Sequence, residues 1–259
     1  MINIIKKEQL TVPPLDELIL LLFGQPGSGK TKLCDNIPNV LFIATEPGHE
    51  FTKSDVYKCD NWVAFEELVH YLRDQRSKGE VKYSAFVIDI VDNLSTFCRD
   101  YICAKKKLAY PPTNDFGKTW AEIAQLWKNG IAALAQLGNI IFITHCTSRE
   151  AEYENEDGLK VEIDQLVPTF SGNKAAQYLD GIVNAQGYMS TDKTGKHVVT
   201  FRKTATVAAK DRTNILSRFP MINIDWSSGK TGWDNLNAAY QMACSKLNLK
   251  IESRRPKNG

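Results

Sequence analysis

An unbroken apolar run at residues 18–23 stops at a glycine, and the eight residues that begin there read Gly24-Gln25-Pro26-Gly27-Ser28-Gly29-Lys30-Thr31. A run with no polar alternation reads as a strand buried on both faces, as in a parallel sheet. Gly-x-x-x-x-Gly-Lys-Thr between such a strand and a helix is a cradle for polyphosphate. Its glycines let backbone N–H groups turn inward, Lys30 reaches the outer phosphates, and the Thr31 hydroxyl is a ligand for Mg2+. The helix expected over residues 30–36 adds a favourable N-terminal dipole. A second Gly-Lys-Thr follows Ser228, at Gly229-Lys230-Thr231. Ile224 stands where the first glycine of the pattern is required, so this copy cannot wrap a phosphate and reads as a polar turn.

The rest of the chain alternates in a way that fits such a loop. A second short apolar run at 40–44 leads into Thr45-Glu46-Pro47-Gly48, and a third at 85–88 ends on Asp89. Asp60 or Asn61 caps a helix whose Phe65, Leu68, Val69 and Leu72 share one face, and Lys78-Gly79 stops it. A long helix is predicted over 116–137, with Phe116, Trp120, Ile123, Trp127, Ile131 and Leu134 as its stripe and Gly138 as its stop. A fourth buried run, 139–144, ends beside His145. Strands alternating with helices predict an α/β fold with a mostly parallel sheet and helices on both faces.

After His145 the pattern changes to antiparallel strands. Segments 147–153 and 159–165 alternate around Asn155-Glu156-Asp157-Gly158, a hairpin turn. Further strands are expected at 182–188, 197–203 and 221–224, with a turn at Asp192-Lys193-Thr194-Gly195, and a last helix over 233–247. The division that follows is an N-terminal extension at 1–15, one domain at 16–248, and a flexible basic tail at 249–259 carrying Arg254, Arg255 and Lys257.

Composition sets the outer limits. The 259 residues carry 32 Lys+Arg against 30 Asp+Glu, a balance that leaves nucleic acid open either way. No stretch approaches the roughly 20 apolar residues needed to cross a bilayer, and no apolar core follows Lys6 and Lys7, so a cytoplasmic protein without a membrane partner is expected. Six scattered cysteines without a Cys-x-x-Cys pair predict reduced thiols and no zinc site.

Three strand-ending residues are candidates to join the phosphate loop. Asp89, after Phe86-Val87-Ile88, can hold the Mg2+ shell. Glu46 is the candidate base or orienting group for an attacking water. His145 is a candidate sensor of the outermost phosphate. Asp92 is read as a helix cap.

Taken in order, the phosphate loop, Glu46, Asp89 and His145 resemble the RecA-like P-loop ATPase core, over about residues 16–225. One strand and helix separate the loop from Asp89, as in P-loop ATPases in which an extra strand divides the two motifs, and unlike nucleoside kinases. The resemblance implies ATP and Mg2+ as cofactors, with Glu46 activating water and His145 coupling nucleotide state to a DNA-binding loop. Ser171-Gly172-Asn173-Lys174-Ala175-Ala176-Gln177-Tyr178 looks like the helix start after that loop. Lys203, Lys210 and Arg212 resemble the basic elements that family members present to a neighbour's nucleotide. The stripped core, with Thr-Glu-Pro-Gly and Lys-Asp-Arg-Thr, is similar to phage nucleotide-binding proteins of the Sak-type single-strand annealing group. That likeness implies single-stranded DNA, self-association in a filament or ring, and a single-strand-binding protein as partners.

One segment departs from the family. Arg149, Lys160 and Lys174 follow His145, but so do Glu150, Glu152, Glu154, Glu156, Asp157, Glu162 and Asp164, a poor match to a phosphate backbone. Arg99, Lys105, Lys106, Lys107 and Tyr110 make a better patch, mixing positive charge with an aromatic that can stack on a base. The expectation is an Mg2+-dependent ATPase acting on single-stranded DNA. The alternatives are an ATP-dependent assembly switch or scaffold with a protein partner, and a small-molecule kinase. The hairpins and the absence of an Arg-rich lid weigh against the kinase.

Overall fold

The computed structural model describes residues 10–80, 82–154, 158–225 and 229–253. Nine-residue or shorter strands occur in chain order as β1 (Thr11–Val12), β2 (Leu20–Gly24), β3 (Val40–Ala44), β4 (Asp55–Lys58), β5 (Ala85–Asp89), β6 (Asn139–Thr144), β7 (Cys146–Glu154), β8 (Lys160–Pro168), β9 (Ala185–Thr191), β10 (His197–Thr200), β11 (Lys210–Asp211), β12 (Ile222–Asn223) and β13 (Lys250–Ile251). The helices are α1 (Lys30–Cys34), α2 (Trp62–Ser77), α3 (Val91–Lys105), α4 (Lys118–Ala135), α5 (Lys174–Ile182) and α6 (Gly232–Lys246).

The main sheet runs β12-β10-β9-β2-β6-β5-β3-β4. Its strands β9, β2, β6, β5, β3 and β4 are parallel, and β10, β11 and β12 add antiparallel pairs at one flank. The central runs are apolar at every position because both faces are covered. Leu21, Phe23, Ile43, Phe86, Ile88 and Phe142 face α2, α3, α4 and α5. Leu20, Leu22, Phe42, Val87, Ile141 and Ile143 face α1 and α6. Fully burying each such side chain contributes roughly 1.5–3 kcal/mol, so these two layers carry most of the folding drive.

Strand order positions the site. β6, which follows Asp89 in sequence, inserts between β2 and β5, so a strand does separate the phosphate loop from Asp89. The strand that lies between them in sequence, β3, packs outside β5. All the parallel strands finish at one edge, where their loops meet.

Several predicted boundaries shift for local reasons. Asn61, not Asp60, caps α2, its side chain accepting from Ala64 N at 3.0 Å. Phe116 is not on the stripe of α4: it is 96% exposed with φ 55°. Asp115 takes the N–H groups of Gly117 and Thr119, so the helix starts after Gly117. Ile182 ends α5, and the strand expected at 182–188 begins at Ala185. The hairpin at 147–165 forms as β7–β8, pairing Cys146 with Pro168 through Glu154 with Lys160, while residues 155–157 of its turn lie outside the described residues. Thr231 caps α6 through a reciprocal box with Asp234, so the second Gly-Lys-Thr is a helix start; Ser228 lies outside the described residues. Lys250 and Ile251, expected in a flexible tail, instead pair in parallel with Thr11 and Val12 of the expected extension. Arg254, Arg255 and Lys257 lie outside the described residues.

Candidate functional site

The phosphate loop leaves the end of β2 with Gly27 at φ 78° and Gly29 at φ 89°, the left-handed region that favours glycine. Gly24 is required for a different reason. A Cβ there would sit 2.3 Å from Met189 O in β9 and 2.8 Å from Ser28 Oγ, so only glycine lets β2 and β9 close beneath the loop. Lys30 lies over this cradle, donating from Nζ to Gly24 O at 2.9 Å and Gln25 O at 3.0 Å. Helix α1 spans only Lys30–Cys34, shorter than the sequence predicts. The cradle therefore depends on loop N–H groups and Lys30 more than on a long helix dipole.

Thr31 and Asp89 meet across the edge of β6. Thr31 Oγ1 donates to Asp89 Oδ2 at 2.8 Å. Burial pushes the Asp89 carboxyl above its ordinary range, opposed by the Thr31 hydrogen bond, then His49, Lys30 and His145. Burial likewise lowers Lys30, opposed by the charges of Asp89, Cys146, Glu46 and Cys34. Both groups are thus held toward neutrality, and a metal-bound polyphosphate would reverse both effects by supplying the missing counter-charges. A hydroxyl and a carboxylate in contact are the hard-oxygen pair that suits Mg2+, which takes its remaining ligands from phosphate and water. Among the described residues no group of three or more His, Cys, Asp or Glu could hold a metal by itself. Thr31 and Asp89 would hold the ion, and the ion would neutralise charge on the bound phosphates.

The loop after β3 brings Glu46 to the same edge, half-buried and close enough for its charge to act on Lys30. Thr45 fixes the strand end beneath it, donating from N to Asp89 O at 2.8 Å and pairing through Oγ1 with both Ile90 N and Ile90 O at 2.8 Å. Glu46, His49, Glu50, Lys58 and Asp60 line a cavity of about 370 Å3 beside the site. His49 was not singled out by sequence reasoning. Its Nε2 lies 3.8 Å from Asp89 Oδ2. The one available signal was a histidine three positions beyond a strand-ending glutamate, across a Pro-Gly turn.

At the end of β6, His145 is half-buried with Nδ1 buried and unpartnered among the described residues, and it is among the groups that favour the charged form of Asp89. The preceding Thr144 is fully buried and makes a denser contact set. Its Oγ1 donates to Asp92 Oδ2 at 2.6 Å and lies 2.8 Å from Thr169 Oγ1, which in turn reaches Asp92 Oδ1 at 2.9 Å. Asp92 is therefore not the cap expected of it. It sits in the first turn of α3, after the cap position Ile90, and ties that helix to the ends of β6 and β8.

The remaining candidates fall into separate places. Arg99, Tyr110 and Lys174 line one groove of about 300 Å3 with Asp92, Trp120 and Thr169. The Arg99 guanidinium stacks 5.2 Å from the Tyr110 ring while bonding Asp100, and Tyr110 meets Trp120 edge-on at 5.7 Å. Lys105 lies over Tyr101, Lys106 pairs with Glu122 at 2.7 Å, and Lys107 follows the helix end at φ 56°. These three sit at the C-terminal end of α3, where cations also complement the helix dipole. Arg149 bonds Gln165 at the base of the hairpin and lines a different cavity of about 250 Å3.

Lys210 lies in β11 and Arg212 directly follows it. β9 lies beside β2 and β11 pairs with β9. Lys210 registers with Gln186 and Gln186 with Leu21, so both residues sit toward the start of β2, away from the phosphate edge. Lys210 pairs with Asp180 at 2.9 Å, and Arg212 donates to the Asp180 and Gly181 carbonyls near the end of α5. Asp211, far from pairing with either, accepts from Thr213 and Ser217. Within the chain, Arg212 thus satisfies carbonyls in the last turn of α5. Lys203 is exposed in the segment after β10.

A glycine cradle at the end of a buried strand, a buried Lys30 over it and a Thr31–Asp89 pair across an inserted strand define a P-loop nucleotide-binding domain. The comparison with protein families agrees. The chain belongs to the AAA domain family, which matches residues 16–213 and places it among nucleotide-binding domains of the ATPase type. No curated protein matches the chain. Among the described residues no helix is long and apolar enough to cross a membrane.

Proposed function

We propose that this chain is a RecA-like, Mg2+-dependent ATPase that acts on single-stranded DNA in phage-type recombination or annealing, in the cytoplasm, and assembles side by side in a filament or ring. The observation that supports the DNA reading is the groove between α3, α4 and α5. It combines two cations, Arg99 and Lys174, with the exposed aromatic Tyr110, the mixture that holds a backbone and stacks a base. Its wall also contains Asp92 and Thr169, which bond to Thr144 between the phosphate-loop strand and the Asp89 strand. Glu46 is the group proposed to orient water, and Lys203, Lys210 and Arg212 are the candidates to act across a subunit interface.

The test is ATP turnover and sedimentation with and without single-stranded DNA, over rising salt. Stimulation by DNA, with binding that weakens as salt rises, supports the reading. Replacing Arg99 and Lys174 by Ala should flatten the salt dependence more than replacing Lys105, Lys106 and Lys107. DNA-independent turnover together with nucleotide-dependent assembly favours the second reading, a switch with a protein partner. The feature that favours this rival is the β7–β8 hairpin. One face presents Glu150, Glu152, Glu154, Glu162 and Asp164, and the other carries the exposed Tyr153 and Val161, a surface suited to protein rather than phosphate.

A further inference from the structure

We infer that His49 is a positioning residue of the nucleotide site, holding the Asp89 carboxylate in the orientation that a metal–nucleotide complex needs. The inference rests on the nucleotide-binding reading of the site. Its first support is how thoroughly the fold places this imidazole. Gly48, just before it, takes φ 121°, a backbone conformation that L side chains rarely adopt. The His49 carbonyl accepts from Thr52 N at 3.2 Å and from Thr52 Oγ1 at 2.7 Å. The ring tilts against Phe42, with centroids 5.4 Å apart, and Phe42 is itself fully buried in β3. Backbone and ring are fixed independently, and the side chain is only 9% exposed.

Its second support is that packing alone does not explain a histidine here. Nδ1 is buried with no hydrogen-bond partner among the described residues. An unmatched buried polar atom is unfavourable, so an apolar side chain of this size would fill the space better. The other nitrogen, Nε2, faces Asp89 Oδ2 at 3.8 Å. That is too long for a hydrogen bond and close enough for a ring N–H or a protonated ring to attract the carboxylate. Contacts of this kind in ligand-free sites commonly tighten when the complex forms. Thr31 Oγ1 already donates to the same oxygen, so Thr31 and His49 converge on Oδ2 from separate elements and restrict the rotation of the carboxylate. The ring also lines the cavity that contains Glu46, so one side chain borders the metal-binding and the water-orienting carboxylates.

The experiment titrates Mg2+ into the full chain with a fluorescent ATP analogue, alongside thermal melting without nucleotide. His49→Leu keeps the volume and removes both nitrogens. It should raise the Mg2+ midpoint about tenfold, the range typical of groups that orient metal ligands, while melting no lower than wild type. Analogue affinity in excess chelator should stay within about twofold, because that measurement bypasses the metal. His49→Gln, whose amide nitrogen reaches the place of Nε2, should bring the midpoint most of the way back. An unchanged midpoint in His49→Leu would overturn the inference, as would a midpoint that moves only in step with lost stability and lost metal-free affinity, or no rescue by Gln. A wild-type chain that binds no nucleotide at all would overturn the nucleotide reading along with it.

Discussion

Lys30 and Asp89 are both disfavoured in the charged form by their own burial, so each weighs against the ligand-free fold while serving the site. Lys30→Ala should abolish nucleotide binding, measured by calorimetry, and leave the far-ultraviolet dichroism and melting temperature intact or improved. Asp89→Asn should weaken Mg2+-dependent binding and, without ligand, stabilise the protein. The sign follows from a carboxyl raised above its ordinary value of 3.8. The charge penalty is fully present above the raised value and disappears as pH falls toward the ordinary one, so the stability gain of Asp89→Asn should shrink on acidification. Melting curves from neutral to acid pH would check this, and a gain that grows in acid would contradict it. Glu46→Gln should keep nucleotide affinity and lose about 10²–10⁴ in turnover, because the amide cannot take a proton. The phosphate loop was legible in the sequence because its eight residues are contiguous and their chemistry is local. His49 and Asp92 were not, since their roles depend on which distant strand ends arrive beside them.

At the scale of elements, hydrophobic runs predicted most strands and the helices α2 and α4, but they carry no information about lateral order. Nothing in residues 182–212 says that β9 lies against β2. The contact between those two strands is narrow enough to test. Gly24→Ala places a methyl 2.3 Å from Met189 O, a backbone atom that cannot swing aside. The variant should lose roughly 1–3 kcal/mol or more in denaturant unfolding and bind nucleotide poorly, because β9 must move off the strand that carries the loop. The hairpin was visible as alternation, and its register then sorted the charges. Glu150 opposes Asp164 and Glu152 opposes Glu162, so these four acidic residues share one face.

For the whole molecule, the helices on either face depend on an intact sheet, and the ends of the described chain are part of that structure. The Tyr240 hydroxyl of α6 donates to Pro13 O at 2.7 Å, and Ser253 donates to Glu17. Tyr240→Phe should cost about 1 kcal/mol in equilibrium unfolding, with nucleotide affinity unchanged, because the lost hydrogen bond is far from the phosphate edge. A matching loss of nucleotide affinity would mean that the two ends of the sheet are energetically linked. The pairing of Thr11 with Lys250 and of Val12 with Ile251 has a practical outcome as well. Both ends of the described chain emerge at one corner, near where β2 begins and remote from where it delivers the phosphate loop. Anchoring the protein to a glass surface through that corner leaves the nucleotide edge facing solution. A pair of dyes attached there would stay in close range through every round of ligand exchange, and would separate only when the molecule unfolds.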